Sequence, residues 1–181
     1  MTASIWEAVK GAISRKALGL ASAIRELKGE SAGRLPHVLA LPLAPFERDG
    51  LRVALRRAGL SCEDLEQSGP VFWRFVNRDD VPVGFGGLEL HGPDALLRSV
   101  VTLPPLRGAG FGRAIVAAIE QEARFYGCGT IYLLTTETEF FKRAGYAACS
   151  RTVVPEGLRT SSQFSSPACA DAGPMVKQLA L

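Results

Sequence analysis

The sequence is poor in the groups that build metal centres and disulfide frameworks. It carries 2 histidines and 4 cysteines in 181 residues. Cys62, Cys128, Cys149 and Cys169 form no Cys-x-x-Cys pair, and no histidine stands near enough to complete a zinc pattern. No metal site is expected, and free thiols in a reducing compartment are the plain reading. There is no apolar run approaching the ~18 residues that a membrane-spanning helix needs, so stable membrane insertion is not expected. A secretory signal is not expected either, because Lys10, Arg15, Lys16 and Arg25 interrupt the apolar positions near the start of the sequence. Glu7 and Glu26 argue against a mitochondrial presequence, which leaves the cytoplasm as the expected location. A basic excess is also missing from most of the chain. The net charge of +3 resides in residues 1–35, where six bases face three glutamates, and residues 36–181 balance to zero. A neutral main body excludes the basic face of a nucleic-acid binder.

What is present, 47% hydrophobic and 22% charged residues, suits one ordinary globular domain with an appendage. Ile5, Val9, Ile13, Ala17, Leu20, Ile24 and Leu27 recur at helical spacing, which predicts an amphipathic helix over residues 4–28. Residues 1–35 are therefore read as an N-terminal helix and linker, and 36–181 as the main domain. That helix packs on its own domain, on a second copy in a homodimer, or along a membrane surface.

Within the main domain, strands are expected at 38–43, 71–76, 81–90, 95–103, 130–136, 146–154 and 174–181. Helices are expected at 45–59, 61–66, 112–126 and 138–145, and a long polar loop before the last strand. Ser61 and Asp64 stand in a capping-box-like arrangement for the second helix. Short turns at 77–80 and 91–94 imply an antiparallel meander, followed by one strand–loop–helix–strand crossover that makes a single parallel pair. The fold class is α+β: a mixed, mostly antiparallel sheet flanked by helices, with the extra N-terminal helix.

The most informative stretch is TLPPLRGAGFGRAI, residues 102–115. A glycine-rich turn from a strand into a helix aims successive backbone N–H groups at one point, where the helix dipole adds positive potential. Phosphate is the natural ligand class. A P-loop would need a Lys that is absent, and the dinucleotide fingerprint fails because Arg113 stands at its third glycine.

Arg107-x-x-Gly110-x-Gly112, placed after a hydrophobic strand, resembles the acetyl-coenzyme A loop of the GNAT N-acetyltransferase superfamily. FFKRAGY (140–146) resembles that family's later Phe-Tyr-x-x-x-Gly-Phe segment. The resemblance spans about residues 37–181. It implies that Arg107, Gly108, Ala109, Gly110, Phe111, Gly112 and Arg113 hold the coenzyme's pyrophosphate. It also implies that the backbone around Val100, Val101 and Thr102 takes the pantetheine arm. A narrower similarity links 87–112, 132–146 and 158–179 to a subfamily encoded with arsenic-resistance genes, the 158–179 tail being the most diagnostic. Pro105, Pro167 and Cys169 depart from that subfamily's pattern. The implied activity is acetyl transfer to the amine of a small molecule, with an arsenic- or phosphinate-containing amino acid analogue as the narrower candidate. A coenzyme-binding regulatory module without catalysis is the alternative.

Acetyl transfer needs a base for the acceptor amine. Glu89, in the apolar strand GLEL, is the candidate, against the alternatives of a solvent-facing carboxylate or a partner for Arg98. A backbone N–H near Val100 is the candidate for polarising the thioester carbonyl. Arg98 interrupts ALLRSVV two residues before Val100, and strict alternation puts both on one side of the strand with Thr102. It either clamps a substrate oxyanion or bridges to Glu89. Gln163, Ser165 and Ser166 are lid contacts or merely part of a solvated loop. The family's thiolate-protonating tyrosine is matched by Phe141, which leaves the general acid unassigned.

Overall fold

A computed structural model describes residues 35–67 and 69–180. The helix expected over residues 4–28 lies outside the described residues. Among the described residues, seven strands form one sheet in the order β1-β2-β3-β4-β5-β7-β6. They are β1 Leu39–Pro42, β2 Val71–Val76, β3 Pro82–His91, β4 Asp94–Thr102, β5 Thr130–Thr135, β6 Ala147–Ala148 and β7 Gly173–Gln178. Every neighbouring pair is antiparallel except β4 and β5. The single parallel pair is joined by helix α2, Phe111–Phe125, the connection a parallel pair requires.

Both faces of the sheet are covered. On one face α2 presents Ile115, Ile119 and Ala123, all fully buried, against Trp73, Phe75, Leu88, Leu97 and Leu133. Burying each isoleucine contributes about 1.5–3 kcal/mol. The helix can lie this close because β3 reads VGFGGLEL. A Cβ on Gly84 would sit 2.2 Å from the Val101 carbonyl oxygen and 2.6 Å from Ile115 Cδ1, and one on Gly86 2.4 Å from Ile119 Cδ1. On the other face, α1 (Arg48–Arg57) follows a 3₁₀ turn at Pro45–Glu47. Its Leu51, Ala54 and Leu55 pack on Phe72, Phe85, Val101 and Leu103.

Three expectations need correction. Residues 61–66 form turns rather than a helix, because the Asp64 carboxylate is engaged far along the chain rather than capping. The strand expected over 146–154 is only Ala147–Ala148 long. Cys149 donates one further ladder bond to the Pro174 carbonyl, and Ser150 then accepts from the Thr152 amide, so the chain turns away. The polar loop before β7 instead holds two short helices, α4 Glu156–Arg159 and α5 Ser162–Ser165, with α3 (Thr138–Arg143) preceding them. Arg151 ties this tail together by donating to the carbonyls of Phe164, Cys169 and Ala172. Val154 and Leu158 then bury against Leu96 and Tyr132.

Candidate active site

The geometry of the site begins with an irregularity in β4. Phe85 opposes Val101 while Gly87 opposes Arg98, so β4 carries one residue more than β3 over this interval. Ser99 absorbs it in a left-handed conformation, φ 56°, the signature of a β-bulge. The bulge breaks the alternation on which the sequence reading relied. Arg98 faces Phe72 on the α1 side together with Val101, whereas Val100 packs with the α2 core and Thr102 lies beneath Gly112. Arg98 and Val100 therefore do not share a face.

The parallel pairing of β4 with β5 ends at Leu97 opposite Leu133, while β5 runs on to Thr135 against β7. From Arg98 onward β4 has no β5 partner, and the two strands part. Val100, Val101 and Thr102 lie on this parted stretch. Beyond it, Pro104–Leu106 make one 3₁₀ turn. Gly108 (φ 78°) and Gly110 (φ 84°) then use left-handed backbone to reach the N-terminus of α2.

Gly110 is the N-cap, and among the described residues no side chain caps the helix. The first-turn amides of Phe111, Gly112 and Arg113 thus have no intrahelical acceptor. Among the described residues, nothing beyond its chain neighbours lies within 4 Å of where a Gly108 side chain would begin. An open cradle of uncapped amides beside parted strands fits the diphosphate and extended tether of coenzyme A. Arg107 braces the loop by donating from Nε to the Thr102 carbonyl, 3.2 Å.

On the α1 side of the sheet lies a buried charge cluster. The Arg98 side chain is 1% exposed, with Nη2 2.5 Å from Asp64 Oδ1 and Nη1 donating to Glu89 Oε2 at 3.2 Å. Ser161 Oγ donates to the same Glu89 oxygen, 2.9 Å, and His91 Nε2 stands 3.1 Å from Oε1. Asp64 Oδ2 accepts from the Ser162 hydroxyl and from Gln163 Nε2, the latter at 3.3 Å. Burial pushes the Asp64 carboxyl up. The hydrogen bonds from Arg98, Ser162 and Gln163, with the Arg98 charge, more than offset this and hold it below the ordinary aspartate value.

A family model described as the acetyltransferase (GNAT) family matches residues 37–146. The chain belongs to that family. The amino-acid acetyltransferase of Mycobacterium tuberculosis is 38% identical over 73 residues, 40% of this chain and 42% of that relative. The chain thus spans well under half the length of that curated relative. Among solved structures, a Mycobacterium tuberculosis protein in complex with coenzyme A has TM-score 0.63 at 22% identity. It covers 80% of this chain and 100% of its own. N-acetylglutamate synthase from Neisseria gonorrhoeae, complexed with coenzyme A and N-acetyl-glutamate, has TM-score 0.67 at 19% identity over 82% of this chain and 36% of its own. At these identities the structures establish the shared fold.

Within this GNAT domain the expected residues sort clearly. Residues 107–113 form one loop and first helical turn, and residues 100–102 border the parted strands. Glu89, Arg98 and Gln163 meet in the charge cluster, and the Glu89–Arg98 bridge weighed from sequence is present. Ser165 stands apart, exposed, and donates to the Ser162 carbonyl of its own helix. Phe141 is buried edge-on between Phe140 and Tyr146. Burial raises the phenols of Tyr132 and Tyr146, which leaves neither a ready proton donor. Sequence reasoning missed Asp64, Ser161, Ser162 and His91. The available signal was the buried arginine itself, whose two terminal nitrogens call for more than one carboxylate. Nothing local distinguished Asp64 from Glu63 or Glu66 as the second.

No described helix is long and apolar enough to cross a membrane.

Proposed function

We propose that the protein transfers the acetyl group of acetyl-coenzyme A to the amino group of a small, amino-acid-like acceptor. The observation that carries this reading is the parting of β4 from β5 beside an uncapped, glycine-entered helix terminus. The co-substrate supplies an activated acyl carbon and a thiol leaving group. The amides of residues 108–113 bind the diphosphate, Arg107 and Arg113 flank it with positive charge, and Val100 to Thr102 align the tether. A main-chain N–H near Val100 polarises the thioester carbonyl.

Glu89 takes the proton of the incoming amine. Arg98, held by Asp64, keeps Glu89 in place and borders the acceptor site. Gln163 flanks the same site from the tail. Two carboxylates around one guanidinium leave the cluster net negative when His91 is neutral, which suits the amino end of such an acceptor rather than its carboxylate. With phenylalanine at position 141, the thiolate leaves without a phenol's help, as low thiol pKa values allow.

Two named relatives support an amino-acid acceptor, one called an amino-acid acetyltransferase and one solved with N-acetyl-glutamate. The finer proposal is an arsenic- or phosphinate-containing amino acid analogue, acetylated as a detoxification. Its support is that the tail carrying the subfamily resemblance delivers Ser161, Ser162 and Gln163 to the charge cluster. A cytoplasmic setting fits the four free thiols.

The test is thioester consumption with L-glutamate, other amino acids and their phosphinic and arsenical analogues, in the wild type and in Glu89→Gln. Removing the base is expected to lower kcat by 10² or more. Coenzyme A binding without turnover on any acceptor would favour the regulatory module. No coenzyme A binding would overturn both readings.

A further inference from the structure

We propose that His91 sets the charge of the acceptor site, opening it to cationic amines when neutral and closing it to them when protonated. This rests on Glu89 lying in that site. His91 and Glu89 are two residues apart on β3 and so project from the same face. Their contact, Nε2 to Oε1 at 3.1 Å, uses the one Glu89 oxygen that Arg98 and Ser161 leave free. Asp64, Glu89 and Arg98 together carry one net negative charge. Protonating the imidazole cancels it and places a competing cation on the carboxylate an ammonium would approach.

The surroundings of His91 supply few other charges. β3 contributes Glu89. β4 contributes Asp94, opposite His91 in register, and Arg98 through Glu89. Asp64 acts through Arg98. α4 brings Gly157, where an added Cβ would lie 3.4 Å from Nδ1, and carries Glu156 and Arg159 at its two ends. The His91 side chain is 29% exposed, so protons exchange with solvent without opening the fold. His91 works through Glu89 rather than on the acceptor, and is a positioning residue.

The test needs no knowledge of the natural acceptor. Ligand-observed NMR measures binding of n-butylammonium, with n-butanol as its neutral counterpart, at about pH 5.5 and about pH 7.5. Imidazole is the side chain whose charge changes between such values. The wild type is expected to bind the ammonium about three- to tenfold more tightly at the higher pH and the alcohol equally at both. One unit charge some ~10 Å away at an effective dielectric of about 20 has an effect of this order. In His91→Gln, with His91→Asn as a second variant, the pH dependence should vanish while the preference for the ammonium remains. Glu89→Gln should abolish that preference, which locates the binding. With only 2 histidines in the chain, the His91 imidazole signal is easily assigned and reports its charge at each pH. An unchanged pH dependence in the His91 variants, or no preference for the ammonium in the wild type, would overturn the proposal. Failure of acetyl transfer alone would not, since no step here consumes thioester.

Discussion

Arg98→Met is the most searching perturbation of the site, because it removes a buried charge from between two others. Arg98 is 1% exposed at its side chain, and its partners Asp64 and Glu89 are 8% and 14% exposed. Methionine fills much of the volume but leaves two carboxylates facing a gap. Breaking a buried pair in this way costs about 3–5 kcal/mol. A 4 Å pair at an effective dielectric of about 20 is worth ~4 kcal/mol, which agrees. The hydroxyls of Ser161 and Ser162 and the Gln163 amide still donate to the carboxylates and keep the loss toward the lower figure. The loss of the guanidinium packed 5.6 Å from the Phe72 ring centre pushes the other way.

The pH dependence gives this reasoning its sign. A carboxyl held below its unfolded value contributes stability above the unfolded pKa, and that stability is lost as pH falls through the folded one. Asp64 is held down in part by Arg98. The deficit of Arg98→Met should therefore be full at neutral pH and shrink below about pH 4, where the unfolded aspartate titrates. Urea unfolding at both pH values, with Asp64→Asn and the double variant, closes the cycle. A coupling of at least about 1 kcal/mol is expected between residues in such contact. A cost within about 0.5 kcal/mol, additive single effects, or a deficit that grows on acidification would each refute the account.

Two further substitutions probe the frame around the site. Gly84→Ala drives a Cβ into the Val101 carbonyl and Ile115. Since the carbonyl belongs to a paired strand, α2 must lift, and thermal unfolding should show a loss of about 1–3 kcal/mol. Gly110→Ala puts a side chain at φ 84° with its Cβ 3.2 Å from Pro36 Cδ. A cost of about 1–2 kcal/mol is expected for the left-handed backbone, with weaker coenzyme A binding by calorimetry; unchanged affinity would remove Gly110 from the cradle.

The elements legible in the sequence were those whose partners are near in the chain or whose pattern is periodic. VFWRFV and TIYLLT announced β2 and β5 through their β-branched and aromatic runs, and the glycines of 108–112 announced a turn into a helix. Neighbours distant in sequence defeated the reading elsewhere. Ser61 and Asp64 matched a capping pattern, yet Asp64 is drawn to Ser162 and Gln163 from the far end of the chain. The tail reads as polar linker because its order depends on Arg151 reaching three carbonyls and on Leu158 finding Leu96 and Tyr132. A period of two or of 3.6 cannot encode such contacts.

The bulge at Ser99 shows how much one residue can redirect. A regular β4 would carry Arg98, Val100 and Thr102 on one face, and the arginine would then enter the apolar layer beneath α2 among Ile115 and Leu133. With the extra residue, the strand before Ser99 turns its charge toward Glu89 and Asp64, and the strand after it turns Val100 and Thr102 toward the glycine-entered helix. The bulge at Ser99 falls where β4 loses its β5 partner, two residues past the last paired position, Leu97. Bulging and parting at one place divide a single strand between the charge cluster and the glycine-entered helix, the acceptor and coenzyme sides of the proposed reaction. Ser99 achieves this in a backbone conformation that serine seldom adopts, so the strain lies where the two proposed binding surfaces meet, the kind of place where such cost is tolerated when function requires it.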